Sequence, residues 1–206
     1  MALYGISFYG SSLGQEPPDI KNLALFLLGV PDEIDFNDAT SELVQKVNRI
    51  YGTTLLACLS GYSWRFIRRR IEITSSQVVA DDTDKYKYNY TTPVNMLTIR
   101  NIFTDPNYQN PIRQYESYPK YINTDAAKVF LWYQAIVDEV EFPKYFVDYF
   151  KYKLAVDLCF NLTGDGQLEE KLIKEEQFML SIARNIDAKQ DPTRIVKASP
   201  FTQIRG

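Results

Sequence analysis

The chain has 206 residues, 45% of them hydrophobic and 24% charged, with a formal net charge of −3. That length accommodates one domain with a substantial core, and the acidic balance excludes a general polyanion binder, so a nucleic-acid footprint would have to be local. Histidine is absent, which removes Ser-His-Asp and Cys-His nucleophile chemistry and any His-ligated metal.

Residues 1–18 read as an irregular arm punctuated by Gly5, Gly10, Gly14, Pro17 and Pro18. The arm lacks a cationic segment ahead of its apolar residues, so a secretory signal is not expected. Asp19 is placed to cap a short helix with Ile20, Leu23, Leu27 and Leu28 on one stripe, stopped at Gly29–Pro31. So short a helix needs tertiary packing to persist. A second helix is predicted from near Asp38 to Ser60. Leu43, Val47, Ile50, Thr54 and Cys58 form its apolar face, and Val44, Tyr51 and Leu55 widen it. Gly52 interrupts it, either for the close approach of another helix or for a bend.

The period then changes. Residues 63–74, 86–92, 96–104, 112–118 and 126–135 have strand-like β-branched and aromatic content. Turn signals separate them at Asp81–Asp82, Pro93, Asp105–Pro106 and Asn123–Thr124–Asp125. Tyr86, Tyr88 and Tyr90 alternate, so they line one face. The expectation is one small antiparallel sheet of four or five strands between helices.

Helical spacing returns at residues 142–166, with Phe146, Phe150, Leu154 and Leu158 four apart and Tyr145, Tyr149 and Tyr152 extending the surface. A helix aromatic on more than one side is buried against two neighbours or against another subunit. Pro143 fits its first turn. After Gly164–Asp165–Gly166, with Asp165 as cap, residues 165–189 predict an antiparallel partner. Leu168, Leu172, Met179, Ile182 and Ile186 point inward, and Glu170 and Lys174 pair outward. Beyond Pro192 the pattern stops. The tail carries Ile195, Val196, Phe201 and Ile204 with three cations and no acid, a composition shared by docking peptides and by plain disorder.

No motif for catalysis or for a cofactor appears. There is no phosphate loop and no dinucleotide fingerprint. The segment around Gly164–Gly166 lacks calcium-loop spacing. Cys58 and Cys159 are far apart without CxxC spacing, which predicts two buried thiols. Asp138, Glu139 and Glu141 cluster, as a metal-dependent hydrolase requires, but the cluster reads first as a solvated edge before a helix. No run of about 18 apolar residues occurs, so no membrane span is expected. The chain is also rich in Tyr, with 15. Tyr joins an apolar body to a polar tip and suits subunit contacts as well as strands.

The densest feature is Trp64-Arg65-Phe66-Ile67-Arg68-Arg69-Arg70. As a strand, it places Arg68 and Arg70 with Trp64 and Phe66 on one face, and Arg65 and Arg69 on the other. Such a cluster can track a phosphate backbone, with the Tyr ladder as a stacking platform. That defines one functional reading, a nucleic-acid-binding module. The other is that the arginines pair with carboxylates of a neighbouring strand or protomer, or stack on tyrosines.

The order of motifs resembles the head–tail connector proteins (tail tubular protein A, adaptor or gatekeeper-like) of short-tailed bacteriophages. Leu27, Leu28, Gly29 and Pro31 precede a long helix that ends in Trp64, Phe66 and Arg69. Tyr88, Tyr90 and Pro93 precede Leu97–Ile99, and Pro143 and Phe146 open two antiparallel helices. The resemblance implies a non-enzymatic virion protein without cofactor. It also implies a helical bundle with a β insertion, and a homo-oligomeric ring, generally twelve-fold, beneath the portal protein. Such a ring extends the DNA channel, lets DNA pass without specific binding and carries the tail nozzle and fibres. It locates the chain in the virion tail, and in the host cytoplasm during assembly.

The expected architecture is therefore α+β, mainly helical. Residues 19–62 and 142–190 form an antiparallel bundle, residues 63–135 a β-sheet insertion, and residues 191–206 an extended docking tail. The expected portal contacts are Ile195, Val196, Phe201 and Ile204. The expected contacts between subunits are Trp64, Arg65, Arg68, Arg69, Arg70, Tyr145, Tyr149 and Tyr152.

Overall fold

The computed structural model describes residues 19–38, 40–78 and 85–190. The N-terminal arm, the turn at Asp81–Asp82 and the tail with Ile195, Val196, Phe201 and Ile204 lie outside the described residues.

Local capping chemistry sets the helix ends. Helix α1 (Ile20–Leu27) starts at Asp19, whose carboxylate accepts from the Asn22 N–H at 3.1 Å. Helix α2 (Glu42–Ser60) begins later than expected. Asp38 turns onto Thr40, accepting from its N–H at 2.9 Å and its hydroxyl at 2.6 Å, and Ser41 becomes the cap. Helix α3 (Lys144–Thr163) follows Pro143 and ends at Gly164, in the left-handed region at φ 64°. Asp165 then caps α4 (Gly166–Lys189), accepting from the N–H groups of Gln167 and Leu168 at 2.9 and 3.1 Å.

The strands form two antiparallel sheets where one was expected. The first has the order β1 (Arg68–Ile73), β7 (Val129–Ala135), β4 (Met96–Phe103). The central strand β7 is buried along almost its whole length. The second has the order β2 (Ser75–Val78), β3 (Tyr88–Thr91), β6 (Tyr121–Thr124), β5 (Glu116–Ser117). Strand β6 occupies the stretch read as a turn. Its polar residues Asn123 and Thr124 are buried, and both are satisfied: Asn123 Oδ1 accepts from Asn89 Nδ2 at 2.9 Å across the ladder, and Thr124 Oγ1 donates to Gln114 O at 3.2 Å. The strand expected at 112–118 shrinks to β5, because Ile112 instead donates its N–H to Ile102 O beside β4, at 2.7 Å.

Helix α3 is the hub of the helical half, packing against α1, α2 and α4. Its Phe146, Phe150, Leu154 and Leu158 are fully buried, as their spacing predicts. One hydrophobic cluster runs from α1 through α3 and α4 into Ile73, Tyr90, Ile102, Ile122 and Leu131 of both sheets. The fold is α+β, and the strands share the core of the helices.

Candidate functional site

The residues Trp64 to Arg70 form a junction between helices and sheet. They do not extend as a strand throughout: residues 65–68 make a turn, closed by Arg68 N donating to Arg65 O at 3.1 Å, and β1 begins only at Arg68. The turn breaks the two-residue alternation. Trp64 and Ile67 therefore both point inward, with no exposed surface, and the expected sharing of a face with Arg68 and Arg70 does not occur.

Trp64 Nε1 donates to Cys58 O at 2.8 Å, and its ring meets those of Tyr62, Phe146 and Tyr149 at centroid distances of 4.7, 5.2 and 6.0 Å. Trp64 and Tyr149 thus belong to the core of their own chain and not to a surface offered to a neighbour. Tyr145 and Tyr152 are half-buried. The Tyr149 phenol is pushed above its ordinary range, first by burial and then by the neighbouring Cys58 thiol. Burial likewise pushes Cys58 up to about 11. Both cysteines are free and buried, as expected.

The junction is held from α4 by Asp187, a carboxylate with no exposed surface. It accepts from the Arg65 N–H at 3.0 and 3.3 Å and from the Tyr145 hydroxyl at 2.8 Å. The Tyr145 phenol is raised by burial and then by this contact. Asp187 was not among the residues the sequence pointed to. Its only sequence signal is a carboxylate on the helical line of Leu172, Glu176 and Ala183.

Each arginine of β1 is engaged within the chain. Arg68 Nη2 donates to Ser63 O at 2.8 Å. Arg69 Nη1 donates to Phe66 O at 2.7 Å, and its Nη2 pairs with Glu141. The Arg70 guanidinium lies between two rings, 4.9 Å from the centre of Tyr108 and 4.8 Å from that of Trp132. Tyr108 reaches it from a loop in which the Asp105 carboxylate gathers the N–H groups of Asn107, Gln109 and Asn110. Those bonds, Asn110 first, hold the Asp105 carboxyl below its usual range. Of the tyrosine ladder, Tyr90 and Tyr86 are buried and Tyr88 is half-buried.

Of the carboxylates of 138–141, Glu139 and Glu141 are also partnered. Glu139 accepts from the Tyr51 hydroxyl at 2.6 Å, and Glu141 takes Arg69. Among the described residues no group of three His, Cys, Asp or Glu side chains is arranged to hold a metal ion. No described helix is long and apolar enough to cross a membrane.

Several large apolar side chains of the helices are exposed. Phe26 of α1 and Phe160 of α3 are each 67% exposed, and Phe178 of α4 is 60% exposed. Ile182 and Ile186, expected to face inward, are turned out. The inward line of α4 is Leu172, Ala183 and Asp187, with Met179 and Leu180 partly covered. Sequence spacing missed this because α4 carries two four-residue series side by side, and the one with the larger apolar groups faces solvent. In a comparison with known proteins, the chain matches no family model and no curated sequence.

Proposed function

We propose that the chain is a structural virion protein, a head-to-tail adaptor of a short-tailed bacteriophage. It is not an enzyme in this reading. Copies assemble side by side into a ring beneath the portal, lengthen the DNA channel and carry the nozzle and fibres. The helices form the bundle that makes the lateral contacts, the strands pack beside them, and residues 192–206 reach the portal.

The order of the three motif groups supports this reading. The observation that carries it is the apolar surface left uncovered on the helices by a chain that already fills its own core: Phe26, Phe160, Phe178, Ile182 and Ile186. The engagement of the β1 arginines by carbonyls, Glu141 and aromatic rings supports a scaffold role for them, not a phosphate-tracking one. The test is deletion of residues 192–206. The truncated chain should keep its circular dichroism spectrum and cease to co-sediment with portal; undiminished co-sedimentation refutes the docking role of the tail.

A further inference from the structure

Two exposed surfaces of the chain complement each other. The first is a groove beside α1. Gly29 turns the chain back at φ 86°. The Asn22 side-chain amide clamps the return, donating to Ile34 O and accepting from Ile34 N, each at 3.0 Å. Leu23 and Phe26 then line a groove of about 300 Å³ with Val30 and Pro31. Its charged lining is Asp19, Asp32 and Glu33, without a cation. An adjoining cleft of about 570 Å³ adds Asp35 and Glu139. The lysine lining that cleft, Lys21, is already held, 5.1 and 4.8 Å from the ring centres of Phe36 and Tyr51 and 2.7 Å from Asn48 Oδ1. This flank is apolar with an acidic rim.

The second surface is the outward line of α4. Phe178, Ile182 and Ile186 follow one another at four-residue spacing, 60%, 37% and 41% exposed. Lys171 lies two turns before Phe178 and Lys189 two turns after Ile182, so both stand on the same line of the helix. Both are exposed, and neither has an ion-pair partner among the described residues. Glu175 is the carboxylate on that line. This stripe is apolar with basic ends.

We propose that the α4 stripe of one copy seats in the α1 groove of a second copy, with Phe178 and Ile182 against Leu23, Phe26, Val30 and Pro31, and with Lys171 and Lys189 facing the carboxylates of the groove. The two surfaces differ, so the contact is heterologous. An open assembly of any size still presents one free groove and one free stripe, at opposite ends, and growth stops only when the chain of copies closes. The inference rests on the ring reading above and names its lateral contact. A single such contact is small, so self-association depends on concentration.

The experiment is sedimentation velocity on the full chain from about 1 µM to about 1 mM, the range in which weak contacts saturate. Wild type should grow beyond a dimer. Phe26→Asp removes only the groove and Phe178→Asp only the stripe; each alone should stay monomeric, its self-association weakened at least about tenfold. Mixed in equal amounts, they should form a dimer that does not grow, since one intact stripe then meets one intact groove. Circular dichroism checks the fold of both variants. The charge reversals Lys171→Glu and Asp32→Lys, each weakening alone and restoring association when mixed, repeat the test without touching an apolar group.

A wild-type chain that is monomeric throughout the range overturns the inference. So does wild-type association by either single variant, or a mixture that gives no dimer. The adaptor reading is scored separately by co-sedimentation with portal. Association through other surfaces sinks the inference and leaves that reading standing; a chain that neither associates nor binds portal sinks both.

Discussion

Asp187 ties α4 to α3 and to the turn that leads into β1. A buried carboxylate is costly unless its oxygens are filled by donors. Here the Arg65 N–H and the Tyr145 hydroxyl fill them. Removing the carboxylate leaves both donors without their acceptor in a water-poor site. Asp187→Ala should therefore destabilise the chain by about 3 kcal/mol in urea unfolding. Asp187→Asn, which keeps one acceptor oxygen, should lose less. An Ala variant as stable as wild type would show that water replaces the carboxylate. The same residue explains how the face of α4 was misread. In sequence, Ile182 and Ile186 outweigh Ala183 and Asp187 as core residues. In the fold, a small side chain lets α3 approach, and a carboxylate meets donors from elsewhere in the chain.

Among the elements, α2 carries an interruption that its surroundings do not require. Gly52 is exposed, and a methyl group added there would meet nothing within 4 Å. Within the chain, then, it serves no close approach of a second helix. Glycine in a helix interior costs backbone entropy relative to alanine. Gly52→Ala should raise stability by about 0.5–1 kcal/mol, read as a higher urea midpoint at unchanged slope. A loss of stability would mean that α2 needs the glycine for its backbone path. Strand β6 makes the opposite point about local preference. Asn123 and Thr124 are turn formers, yet they sit in a ladder because Asn89 and Gln114 O satisfy their side chains.

On the scale of the whole molecule, one core joins helices and sheets, so they should unfold together. Alkaline titration tests this. Burial holds the Cys58 thiol at about 11, above its ordinary 9, and holds the Tyr51 and Tyr149 phenols higher still. Groups that keep their protons more tightly when folded leave stability intact below their unfolded pKa and withdraw it as pH rises towards the folded value. Between pH 9 and 11, Cys58 alone should remove about 2–3 kcal/mol. Cys58→Ala should flatten that part of the profile. Far-ultraviolet circular dichroism and tryptophan fluorescence should report the same midpoint, since Trp64 packs on α3 while Trp132 lies on β7. Separate midpoints would mean that the strands are a domain apart.

The sequence by itself determined the helices, their caps at Asp19 and Asp165, the break at Gly164, the fully buried line of α3, the burial of both thiols and the antiparallel strand pairing. The caps and the break follow from hydrogen bonds made within a few residues, and the rest follow from the spacing of residue types along the chain, although the strands that pair lie far apart in sequence. Only the tertiary structure decided that the strands form two sheets, that Asn123 and Thr124 lie in one of them, and that Arg70 is held between Tyr108 and Trp132. It also decided which line of α4 faces inward. In each case the deciding partner comes from a distant part of the chain: a polar or charged side chain is tolerated, and a large apolar one left outside, according to what another segment brings to meet it.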